Sequence, residues 1–305
     1  VETQPWPGYC RALLASSVAS SAARFPGRGE EAPERVHGVR KSLKESRALA
    51  RLFLPSIGEP ARVTIAALAV VRRRIGRARD LDVMEGRIER LAPPPEIAAP
   101  LRDAIDRERA AAQRAHTSFA TAASRAQLQA IVKRLEGWDL SPVADADIAE
   151  AAARTFRQAV RRGRLAFDDG DPAALHALRS RVVDLRYQLS ALAPAWPATL
   201  DAHSEALNAL RDTLGDYNDL DVLGRFAAER GGLSPEALAT FHERLDSKQR
   251  KLKRRAAIEF ERLFAAETPD AFAARLAVYL RHPLGKLAPP RPKSSERLAS
   301  PPVTA

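Results

Sequence analysis

Two stretches of this chain carry nitrogen-bearing side chains at one shared spacing. In VHGVRKSLKESRALARLFLP, His37 is followed by Arg40 and Arg47; in LHALRSRVVDLRYQLSALAP, His176 is followed by Arg179 and Arg186, each 139 positions after its counterpart. On a helix, at about 100° per residue, His37, Arg40, Lys44, Arg47 and Arg51 fall within an arc of roughly 80°. Like charges three and four residues apart repel, so such a strip costs stability unless something anionic offsets it. Arginine forks and lysine ammoniums hold phosphate oxygens by charge-assisted hydrogen bonds, and histidine adds charge when protonated at mildly acidic pH. The second copy keeps His176, Arg179 and Arg186 but has Val183 and Ser190 where the first has Lys44 and Arg51.

A second motif repeats at the same interval. Ile75-Gly-Arg-Ala-Arg-Asp-Leu-Asp-Val-Met84 matches Leu214-Gly-Asp-Tyr-Asn-Asp-Leu-Asp-Val-Leu223. Asp80 and Asp82, like Asp219 and Asp221, point about 200° apart on a helix, so neither pair suits acid–base catalysis or a shared metal. A structural role is expected, with Asp80 and Asp219 paired to arginines between helices. Further bases lie in Arg72–Arg79, where Arg73 and Arg77 are candidates, and late in the chain. There Arg244, Lys248, Lys251, Arg255 and Arg262 share an arc of about 60°.

No phosphate-binding glycine loop and no His-Glu-x-x-His occurs, and the six histidines are scattered. His37 and His176 could meet across a symmetry axis, but two ligands without an acid make a poor metal site. The expectation is a binding protein with no catalytic residue, metal or cofactor.

The elements that position these residues are helices. Aromatic residues make up only 6% of the chain and long stretches lack glycine and proline, so the fold class expected is all-α. Helices are expected over 8–22, 34–53, 60–90, 97–123 and 127–137. In the second half they are expected over 145–165, 173–192, 199–228, 235–265 and 270–281. Pro55 and Pro194 are expected to stop the two repeated helices. The core stripes would be Val36, Val39, Leu43, Ala50 and Phe53 in the first copy, and Leu175, Leu178, Val182, Leu185, Leu189 and Leu192 in the second. The shared interval implies a duplication, read as tandem, pseudo-symmetric, mostly four-helix bundles over 1–140 and 141–283. The proline-rich residues 284–305 read as a disordered basic tail.

With 305 residues, 45% of them hydrophobic, the chain can bury a sizeable core, and its net charge of +11 points to a polyanionic partner. One cysteine, Cys10, excludes a disulfide framework and fits a reducing compartment; a cytoplasmic location is expected. No apolar run is long enough to span a membrane. The stretch from Arg11 to Ala23 is the nearest approach to a signal peptide, and its serines make it read better as a first helix.

These motifs resemble the CHAD family, the conserved histidine α-helical domain. The resemblance rests on Glu34-Arg-Val-His-Gly-Val-Arg-Lys-Ser-Leu-Lys with Arg47, on 75–83, on Asp171-Pro-Ala-Ala-Leu-His-Ala-Leu-Arg with Arg186-Tyr187, and on Leu214-Gly-Asp-Tyr-Asn-Asp-Leu. It implies two four-helix bundles with basic residues around the groove between them, and binding of inorganic polyphosphate, free or in granules. This chain departs from the family pattern at Glu45, Val183 and Ser190, which shifts the expected site toward the first half and the basic helix of Lys248, Lys251 and Arg255. Sequence-blind nucleic-acid binding and a helical protein scaffold are the rival readings; no membrane partner is expected.

Overall fold

In a computed structural model of the chain, residues 6–25, 33–74, 77–115, 118–168, 172–283 and 287 are described. Among them the secondary structure is helical, with no strand: α1 (Trp6–Arg24), α2 (Pro33–Ile57), α3 (Glu59–Arg74), α4 (Arg77–Leu91), α5 (Pro95–Ala115), α6 (Ser118–Glu136), α7 (Asp145–Phe167), α8 (Pro172–Leu192), α9 (Pro197–Arg230), α10 (Pro235–Phe264) and α11 (Pro269–Arg281). Six of these helices open on proline, whose missing N–H is no loss in a first turn and whose φ is already helical. Ser234 and Thr268 then cap α10 and α11 by accepting from the N–H groups of Ala237 and Ala271, each at 3.2 Å. Asp145 and Asp147 place negative charge at the N-terminus of α7, where the helix dipole favours it.

The all-α expectation holds, with two differences in detail. Pro55 does not stop α2, which continues to Ile57. A proline so near the C-terminus forfeits one backbone bond, and α2 ends instead at Gly58, at φ +58, whose N–H reaches Leu54 O. Pro194 does follow its helix, in the 3₁₀ turn Ala193–Ala195. The span expected as one helix over 60–90 crosses residues 75 and 76, outside the described residues, with α3 and α4 on either side. No boundary falls at 123–127, which lie within α6; residues 116 and 117, between α5 and α6, lie outside the described residues. Most of the tail, 284–305, lies outside the described residues.

Trp6 and Asp145, the first residues of α1 and α7, stand 139 positions apart and are joined by a hydrogen bond of 2.9 Å from Trp6 N to the Asp145 carboxylate. The same interval separates Pro33 and Pro172. Hydrophobic burial, however, does not divide at residue 140. The larger core draws Leu43, Phe53 and Leu68 from the first half together with Phe156, Leu185 and Phe272 from the second. The smaller core joins Leu81, Ile88, Leu101 and Ile105 to Leu220, Leu223, Phe241 and Leu245. Helix α9, with 34 residues, contributes to both.

The repeated helices α2 and α8 pack directly on each other. Gln188 Nε2 donates to Ala48 O at 3.0 Å and Tyr187 Oη to Lys41 O at 3.4 Å across this seam. Of the expected stripes, every residue is buried except Val36, which is partly exposed. With the apolar faces turned inward, the basic strips are held at the α2–α8 seam and beside α3 and α9.

Candidate anion-binding site

Lys44 is the focus of the basic strip. Four guanidiniums act on its amine: Arg179 of α8, Arg40 of its own helix, Arg72 of α3 and Arg211 of α9. Its Nζ makes no hydrogen bond or ion pair among the described residues. Burial and those four like charges push its pKa down to about 8. Arg179 is likewise depressed, chiefly by burial, and its Nε is buried without a partner. Gly215, the glycine of the second repeated motif, accommodates it: a Cβ there would lie 3.4 Å from the Arg179 Nη2.

Two turns along α2 the charge is partly offset by a carboxylate. Arg51 meets the fully buried Asp184 at 3.2 Å, and Arg181 reaches the other carboxylate oxygen at 2.8 Å. Arg47 lies between the two zones, with its pKa pushed down to about 10 by burial and by Arg51 and Arg72. One carboxylate thus serves three guanidiniums.

The structure gathers Arg40, Lys44, Arg47, Arg51 and Arg179 from the expected residues. His37 is exposed at the start of the same helix. His176 is also exposed, its Nδ1 lying 2.9 Å from Asn218 Oδ1. Arg186 is not brought to the Lys44 focus. Its guanidinium lies 4.0 Å over the Tyr187 ring, beside a separate cleft shared with Ser190, Asp201, Ser204, Glu205 and Asn208. Arg73, Lys248 and Lys251 are exposed and take no part in the cluster, and Arg255 pairs with Glu259 at 2.8 Å. The Arg77 side chain lies outside the described residues.

Four contributors escaped the sequence reading: Arg72, Arg211, Arg181 and Asp184. Two were findable, because Arg72 and Arg211 are related by the interval that relates the histidines. Of the aspartates, Asp219 pairs with Arg87 of α4 at 2.7 Å, the interhelical role expected of it. Asp216 pairs with the same guanidinium. Asp82 and Asp221 face Arg109 and Arg225, and the Asp80 side chain lies outside the described residues. Among the described residues no group of three His, Cys, Asp or Glu converges as a metal site would require, and no helix is long and apolar enough to cross a membrane.

A family model described as the CHAD domain matches residues 12–228. Among solved structures, the CHAD domain from the plant Ricinus communis is similar, with a TM-score of 0.55 and 21% sequence identity over 92% of this chain and 94% of that one. At that identity the likeness speaks for the fold. No curated protein sequence matches.

Proposed function

The chain belongs to the CHAD domain family, and from that footing we propose that it binds inorganic polyphosphate without catalysing a reaction on it. The observation that carries this reading is Lys44, whose amine feels the charge of four guanidiniums and makes no ion pair among the described residues. Repulsion of that kind is relieved by an anion offering several oxygens at once, and a phosphate polymer does so along its length. Release of the polymer's condensed counterions adds affinity, as it does for nucleic-acid backbones. Binding of this sort needs positioned cations and no nucleophile.

Equilibrium binding of polyphosphate between about 50 and about 200 mM salt tests the reading. The expected affinity falls steeply with salt, and an Arg40→Ala/Arg179→Ala pair is weaker by about a hundredfold, two charge-assisted hydrogen bonds having been lost. An affinity indifferent to salt contradicts the mechanism. Displacement of polyphosphate by duplex DNA at equal phosphate concentration contradicts the choice of ligand. Phosphate released on incubation with divalent metal contradicts the absence of catalysis.

A further inference from the structure

Between α8 and α9 lies a cleft of about 350 Å³, walled by Arg186 and Ser190 of α8 and by Asp201, Ser204, Glu205 and Asn208 of α9. On α9 these four recur at i, i+3, i+4 and i+7, one face of a helix, and on α8 the two stand about one turn apart. Hydrogen bonds fix the floor. The buried Ser204 donates its hydroxyl to Arg186 O at 3.1 Å and therefore accepts from Ser190 Oγ at 2.7 Å. The Asn208 amide accepts from Arg211 Nη2 at 2.7 Å and donates to Asp212 at 3.2 Å. Arg186 is steadied by the Tyr187 ring, 4.0 Å from its guanidinium carbon, and its Nε is buried without a hydrogen-bond partner. Among the described residues neither Arg186, Asp201 nor Glu205 forms an ion pair, although all three border this one cleft. Open space thus separates the guanidinium from both carboxylates.

We propose that the cleft binds a free α-amino acid with a cationic side chain, such as lysine. The ligand carboxylate pairs with the Arg186 guanidinium, and its two ammonium groups pair with Asp201 and Glu205. The Ser190 oxygen, its proton already given to Ser204, is a further acceptor for an ammonium. One guanidinium and two carboxylates leave the cleft with a single negative charge, and a ligand with one carboxylate and two ammoniums answers each group in turn. Other classes leave like charges facing each other. Phosphate or a dicarboxylate meets Asp201 and Glu205, a diamine leaves Arg186 unanswered, and a lone metal cation sits against a guanidinium. The volume is at the lower end of small-ligand clefts and suits one amino acid rather than a length of polymer. None of these residues is needed for the cluster at Lys44, so the inference stands apart from the polyphosphate reading.

Isothermal titration calorimetry of the full chain with L-lysine tests the proposal, with L-glutamate, inorganic phosphate and cadaverine, the diamine that lysine becomes without its carboxylate, as comparators. Lysine is expected to bind once per chain and at least about tenfold more tightly than cadaverine or glutamate, the worth of one charge-assisted hydrogen bond. Asp201→Asn with Glu205→Gln is expected to weaken lysine at least about tenfold. Both side chains are exposed, so the melting temperature of this variant should stay within about 2 °C of the wild type. Arg186→Gln is expected to abolish the preference for lysine over cadaverine without weakening cadaverine. Should that variant fail to fold, the carboxylate variant and the comparators still decide. No binding of lysine up to about 10 mM overturns the proposal. Equal affinity for cadaverine and lysine overturns it too, as does undiminished lysine binding by the carboxylate variant. Phosphate binding that Arg186→Gln removes and the carboxylate variant strengthens would assign the cleft to anions instead.

Discussion

The guanidinium of Arg179, on α8, rests against Gly215 of α9, where an added Cβ would stand 3.4 Å from Nη2 and 3.6 Å from Nε. Those are ordinary contact distances for a methyl group and leave no space beyond it. A mid-helix glycine costs about 1 kcal/mol relative to alanine. Gly215→Ala is therefore expected to raise the melting temperature by about 2 °C and leave polyphosphate affinity unchanged. Gly215→Leu is expected to displace the guanidinium and weaken binding about as much as Arg179→Ala does. A double-mutant cycle checks this: leucine at 215 should cost nothing further once Arg179 is gone, and a further loss would assign Gly215 a role apart from that arginine.

Lys44 also sets a pH dependence whose sign follows from its surroundings. Its folded pKa of about 8 lies below the unfolded value near 10.4, so between those limits the unfolded chain binds more protons. Its contribution to stability therefore rises as pH climbs through that window, and below about pH 8 the full penalty is present. Lys44→Met is expected to stabilise the free protein by about 2 kcal/mol at neutral pH and to remove this rise. Chemical denaturation at intervals from about pH 7 to about pH 10 measures both effects. Polyphosphate affinity should fall over the same range, because the bound form needs the ammonium; a rise in affinity above pH 8 would contradict the assignment.

The pattern that made the helices legible also located half of the cluster. Apolar spacing fixed which sides of α2 and α8 face inward, and the residual strip had to contain Arg40, Lys44 and Arg47. Helix α10 shows the limit of the same reasoning. Its bases share an arc as tight as that of α2, yet Lys248 and Lys251 remain exposed and Arg255 is paired with Glu259, because an arc says nothing about what packs beside it. Arg72 and Arg211 enter through helix packing, which a single-helix projection cannot show. Asp184 was hidden for a related reason: one acid among leucines reads as a surface residue until α2 brings Arg51 to it.

That buried acid decides how much charge the seam can carry. Asp184 is fully buried and balances Arg51 at 3.2 Å, Arg181 at 2.8 Å and, at longer range, Arg47. Removing one member of a buried ion cluster leaves the others desolvated and unpaired, at a cost of about 3 kcal/mol. Asp184→Asn, nearly isosteric, is expected to destabilise the protein by that amount in denaturant titrations. The widened zone of positive charge should at the same time bind polyphosphate more tightly, so the polymer should raise the melting temperature more in the variant than in the wild type. Replacing the set with apolar residues, Asp184→Leu with Arg51→Met and Arg181→Met, should recover much of the stability and none of the added affinity. A loss below about 0.5 kcal/mol for Asp184→Asn, the scale of ordinary surface substitutions, would mean that solvent rather than this carboxylate balances the three guanidiniums.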